Sequence, residues 1–208
     1  FKIFSTDPAT SLVGFREFPS PWAIDWRLFF DFGNKPDQFS KERIQPAYKI
    51  DSSLVNPLKS LPPSVATVIP NLAHRNLLRG RSMGLPTGQD VARKLGIPVV
   101  DDKNLRVGKA TEADKDKNPL LTDIDPSFKN HAPLWYYILA ESQLQIKNND
   151  TPIHLGAVGG RIVGEVFVGL MLGDSHSYLS QDPDWTPKDM MKNGKFGIVE
   201  LLNEAKQA

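Results

Sequence analysis

Apolar residues along this chain recur with helical rather than strand spacing, in stretches cut short by proline and glycine. Ser20 and Pro21 form a cap and a first-turn proline, and Trp22, Ile24, Trp26, Leu28, Phe29 and Phe32 follow before Gly33. Residues 22–33 are therefore predicted as a helix, apolar nearly all round and hence central. Residues 35–70 read as loop, with short apolar anchors at Leu54, Val55, Leu58 and Leu61. Asn71 caps a predicted helix that runs through Leu72, Leu77 and Leu78 to about Ser82, where Gly84 and Pro86 stop it. Thr87, with Asp90 three residues on, caps another through Val91 and Leu95, closed by Gly96.

Residues 100–130 mix acids and lysines without a period and are predicted to form an exposed connection with at most one helical turn. Pro133 opens a helix carrying Leu134, Trp135, Ile138, Leu139 and Ser142. The apolar residues 155–172 are nearly enough to span a bilayer, but they contain Arg161 and Glu165 and are dense in glycine. A buried helix of a soluble protein is expected instead. Each of Gly156, Gly159, Gly160, Gly164 and Gly169 costs such a helix about 1 kcal/mol against alanine, which suggests that other backbones pack very close to it. Thr186–Pro187 and Phe196–Gly197 introduce two last short helices. Neither a repeat nor strand alternation emerges, so the expected class is mainly α, with residues 1–208 forming one unit.

Composition narrows the function classes. At 208 residues the chain can bury one sizeable core, and its 40% apolar and 24% charged residues argue against disorder. The net charge is +1, with no long run of one sign, so neither nucleic acid nor a membrane surface is favoured as a partner. Cysteine is absent, which removes a disulfide framework, a thiolate ligand and a cysteine nucleophile. Nothing near Phe1 resembles a signal peptide, and a mature or trimmed N-terminus is the simplest expectation.

The richest chemistry lies between Asn71 and Pro86. On a helix Asn76 and Arg79, three residues apart, share a face with Cβ atoms roughly 5–6 Å apart. An amide can accept a hydrogen bond from a metal-bound imidazole, and a guanidinium can fork onto a carboxylate. The same pair also reads as a solvated polar face or a local salt bridge. The chemical reading expects both side chains to turn to one cavity or open face.

The run Arg75, Asn76, Leu77, Arg79, Gly80, Arg81, Gly84, Leu85, Pro86 resembles the proximal-helix signature of haem peroxidases of the animal (peroxidase–cyclooxygenase) type. Gly88 to Arg93 continues the likeness toward the bacterial branch. Residues 22–33 sit where that family has an aromatic-rich helix. Pro133 to Leu139 resembles a late helix, and His154 to Glu165, with Gly173 and Asp174, the closing one. Order and spacing thus extend the resemblance over nearly the whole chain.

That resemblance implies the C-terminal helical portion of a haem peroxidase domain, reducing hydrogen peroxide and oxidising a halide or small organic donor, in a secreted or extracytoplasmic setting. Asn76 then matches the asparagine that accepts a hydrogen bond from the proximal histidine, and Arg79 the arginine that pairs with a haem propionate. Arg81 also matches and is assigned to structure. The family's distal residues, its proximal histidine (the iron ligand) and its calcium loop would lie upstream, so the implied partner is the N-terminal half of the same peroxidase, as a separate chain or a further segment. Two alternatives remain: a fatty-acid dioxygenase of the same superfamily, and a catalytically silent adhesion or matrix protein.

Other signals are read more plainly. His74 is expected to be packed or solvent-facing, His154 to serve as a cap or supporting residue, and His131 and His176 to lie on the surface. Trp135, Tyr136 and Tyr137 could host a radical but fit a core face. Residues 149–151 (Asn-Asp-Thr) fit a glycosylation triplet, and Gly156, Gly159 and Gly160 suit packing better than a dinucleotide loop. Leu28, Phe29, Leu72, Leu77, Val163 and Phe167 lie on helices apolar on more than one side, which predicts an uncovered apolar face bordered by Asn76 and Arg79.

Overall fold

The computed structural model describes residue 7 and residues 23–32, 50–109, 111, 113–114, 116–144 and 154–205. Contacts gather into two compact units, residues 48–170 and residues 1–47 with 171–208. The described residues are mainly helical and contain no strand, only isolated antiparallel bridges such as Thr87 with Pro133.

In the unit of residues 48–170 the helices are α1 (Asn56–Lys59), α2 (Leu72–Ser82), α3 (Gly88–Leu95), α4 (Leu121–Ile124), α5 (Leu134–Gln143) and most of α6 (Ala157–Gly173). The caps follow the predicted chemistry. Asn71 Oδ1 accepts from the His74 N–H at 3.0 Å and starts α2. Gly84, with φ +64°, turns the chain after its end, a conformation that costs glycine little. Thr87 Oγ1 accepts from the Asp90 N–H at 3.1 Å, and Gly96 closes α3 at φ +68°.

Helices α2 and α3 both pack on α5. The core of this unit is Ala92 of α3, Tyr136, Tyr137 and Ala140 of α5, and Val158 of α6, joined by Leu105, Leu121 and Ala132. A Cβ added to Gly88 would stand 2.0 Å from Tyr137 Cγ, so the first turn of α3 sits directly on that ring. The Tyr137 hydroxyl accepts from the Val100 N–H at 2.9 Å, whereas the buried Tyr136 hydroxyl has no partner among the described residues. Trp135 is half-buried and its two neighbours are core, the packing use their spacing suggests.

Residues 100–130 depart from the expected exposed connection. They hold two 3-10 turns, Asp102–Asn104 and Pro126–Phe128, and α4. They also send Leu105 (0% exposed) and Leu121 into the core. Single apolar residues among charges give no period, so the pattern alone did not single them out.

Helix α6 is held at its start and bare beyond it. The Glu141 carboxylate of α5 accepts from the Val158 N–H at 3.0 Å and the Gly159 N–H at 3.2 Å. After that turn Val163, Val166, Phe167 and Leu170 are exposed, against burial within this chain but as expected of Val163 and Phe167 on an uncovered apolar face. Nor do backbones crowd its glycines: a Cβ would meet Ile138 at 3.2 Å from Gly159, but nothing within 4 Å of Gly164 or Gly169. Among the described residues no helix is long and apolar enough to cross a membrane.

The unit of residues 1–47 and 171–208 contains the 3-10 turns Trp26–Leu28 and Lys188–Met190 and the helices α7 (Tyr178–Gln181) and α8 (Ile198–Ala205). The last turn and helix fall where Thr186–Pro187 and Phe196–Gly197 place them. Ser20, Pro21, Trp22 and Gly33 lie outside the described residues, but residues 23–32 do not form the predicted central helix. Asp25 accepts from the Arg27 N–H at 3.1 Å and starts a single 3-10 turn, and Ile24, Trp26 and Phe29 are exposed. Aromatic and β-branched residues favour helix only weakly, so such a segment needs burial to extend beyond one turn.

Candidate functional site

The C-terminal half of α2, the turn into α3 and residues 128–135 enclose a cavity of about 420 Å³. Leu77, Leu85, Phe128, Pro133, Leu134 and Trp135 supply its apolar walls, and Asn76, Arg81, Thr87 and His131 its polar groups. The walls are fixed from both sides. The Gly88 N–H donates to the Ala132 carbonyl at 2.9 Å, tying the α2–α3 turn to the segment before α5. Gln89, fully buried, accepts from the Ala132 N–H at 3.0 Å and donates to Asp102 Oδ1 at 3.1 Å. Asp102 Oδ2 accepts from the Asn130 N–H at 2.9 Å. A buried amide and a half-buried carboxylate thus hold the loop that carries Phe128 and His131.

Both predicted site residues lie on α2, but they do not face one cavity. Asn76 is half-buried and lines the cavity just described, while Arg79 is exposed and lines a second, open depression with Leu78, Arg81 and Ser82. Helical geometry explains the separation. At about 100° per residue, the arc from Asn76 through Gly80 and Leu77 to Arg81 and Leu78 covers roughly 200°, and Arg79 falls on the remaining arc. Spacing of three brings Cβ atoms close without aiming the side chains together. The expectation that both turn to one cavity is corrected here; Arg81 is the arginine that borders both spaces.

Among the described residues the Asn76 amide makes no hydrogen bond, and Arg79 and Arg81 stand in no ion pair. Nearby carboxylates are committed elsewhere. Asp90 accepts from the Thr87 hydroxyl at 2.7 Å and from Arg93 at 2.6 Å, contacts that hold its carboxyl below the usual range. Asp102 serves Gln89 and Asn130 as above.

The histidines take surface places. His74, His131, His154 and His176 are all exposed, and His131 alone of them lines the cavity. His154 does not cap α6 with its side chain; the cap is Glu141, while the His154 carbonyl accepts from the Ser142 hydroxyl. The same carboxylate answers the dinucleotide alternative, because it already occupies the N–H groups that a phosphate would use. No three His, Asp or Glu side chains converge on a metal-sized site among the described residues. The glycosylation triplet at 149–151 lies outside them.

The sequence pattern assigns Arg81 to structure and His131 to the surface, and it does not join Phe128 to Trp135 into one apolar wall. The wall is a non-local contact that no local pattern announces. Arg81 did carry a signal: it lies one helical turn beyond Leu77 in a stretch from Ser52 to Gln89 that contains no acid. Comparison with family models, curated proteins and solved structures gives no match.

Proposed function

We propose that this chain is the proximal-side portion of a haem-dependent peroxidase, which reduces hydrogen peroxide and oxidises a halide or small organic donor. The observation that carries the proposal is the uncommitted Asn76 amide on α2 at the edge of an apolar cavity, within the motif that resembles the family's proximal helix. The donor chemistry fits the two roles asked of this chain. Among the described residues the Asn76 amide has no other partner and could accept from an imidazole that holds the iron, and Arg79 stands in no ion pair and could take a propionate. Asn76 and Arg79 leave α2 on different arcs, so a shared face no longer supports the reading, which rests on the Asn76 amide and the motif around it.

Haem, when bound, supplies the peroxide and electron chemistry. This chain's residues would supply position: Asn76 would accept the proton of the histidine that holds the iron and so raise its basicity, and Arg79 would hold a carboxylate of the group. The ligand itself, and any calcium, belong to an N-terminal half whose docking would cover the bare face of α6. That face (Val163, Val166, Phe167 and Leu170) has the spacing of a single helix stripe. The test is the visible absorbance of the native protein that contains this chain. A haem Soret band, altered by peroxide, is the expected outcome; a protein purified intact without haem, and unable to take it up, refutes the assignment.

A further inference from the structure

The cavity between α2 and residues 128–135 has the make-up of a small-molecule site in its own right. Its volume of about 420 Å³ falls within the range of roughly 300–1,000 Å³ in which such sites occur. Leucines, two prolines and the rings of Phe128 and Trp135 form the walls, surfaces suited to a flat apolar body. The polar groups on its rim lean to one sign. Among the described residues Arg81 stands in no ion pair; it borders both this cavity and the depression beside it, and Arg79 lies in that depression. No acid occurs from Ser52 to Gln89 or from Ser127 to Trp135, the two stretches that contribute every wall. Asp90, the nearest acid in sequence, is spent on Thr87 and Arg93.

We infer that this cavity binds an aromatic carboxylate, its ring between the Leu77–Leu85 wall and the Phe128–Trp135 wall and its carboxylate on the Arg81 guanidinium. Arginine is the group that takes a carboxylate through two parallel N–H donors, and it stays charged at every working pH. The cavity is the one that Asn76 borders, but the inferred contact uses neither haem nor Arg79 and is read through Arg81 alone, so its failure is distinguishable from that of the proposed function.

The test is calorimetric titration of the full chain with 2-naphthoate and with its neutral isostere 2-naphthamide. Naphthoate should bind, and the amide about tenfold or more weakly, the worth of one charge-assisted contact. Arg81→Ala should bring the two ligands to equal, weak affinity, whereas Lys94→Ala, at an exposed cation of α3 outside the cavity lining, should leave the preference unchanged. Arg81 is exposed, so its loss should not disturb the fold, which circular dichroism checks. No binding of naphthoate, equal binding of both ligands by the native chain, or a preference that survives Arg81→Ala would each overturn the inference.

Discussion

Glu141 of α5 accepts from the Val158 N–H of α6 through both carboxylate oxygens, each at 3.0 Å, and is almost fully buried. A carboxylate at a helix N-terminus satisfies donors that have no partner within the helix and meets the positive end of its dipole. Glu141→Ala should lower the unfolding free energy by about 2–3 kcal/mol, because buried N–H groups lose a charged acceptor. Urea unfolding measures it. Glu141→Gln, which keeps an acceptor oxygen without the charge, should lose less.

Two glycines should respond to alanine in opposite directions. At Gly88 the added carbon would meet Tyr137 ring and Cβ atoms at 2.0–2.2 Å, so α3 must move off its core. A loss of about 1–3 kcal/mol is expected from such overpacking. At Gly164 nothing lies within 4 Å, and alanine should stabilise α6 by up to about 1 kcal/mol. Thermal melts of the two variants check the signs.

Tyr136 and Tyr137 are adjacent, both buried, and differ in one hydrogen bond. Tyr137→Phe leaves the Val100 N–H unpaired and should cost about 1–3 kcal/mol. Tyr136→Phe removes a hydroxyl that has no partner and should be neutral or stabilising. Burial raises the ionisation of both above the ordinary tyrosine value, and pushes Tyr136 further. A raised folded value means that the stability tied to the neutral phenols is complete below about pH 10, where unfolded tyrosine ionises, and is lost as pH climbs beyond it. Alkaline unfolding monitored by ultraviolet difference absorbance should therefore begin above that pH and shift upward in Tyr136→Phe.

What the chain announces about itself depends on how local the cause is. Asn71, Thr87, Gly84 and Gly96 act within a turn, and α2 and α3 begin and end where those residues place them. The Trp26 region failed because its apolar pattern states a need for cover without naming what provides it. Helix α6 poses the same problem more sharply: its all-round apolar sequence reads as buried, yet Phe167 is 63% exposed. Leu105 and Leu121 were hidden by the charges around them. At the site, the proximity of Asn76 and Arg79 was legible from spacing, but the direction of each side chain was not. Residues 128–135 reach the cavity through tertiary contacts alone.

The central proposal is that Asn76 would act on a haem iron through the histidine that holds it. Its most direct test is the ferric/ferrous reduction potential of the native haem-loaded protein beside that of Asn76→Ala, with peroxidase turnover measured in parallel. Loss of a hydrogen-bond acceptor from an axial imidazole lowers the ligand's donation to iron, so the potential should rise and turnover should fall about 10–100-fold, with the fold intact. A potential and rate equal to those of the unsubstituted protein would contradict the role of Asn76 and, with it, the placement of haem against α2.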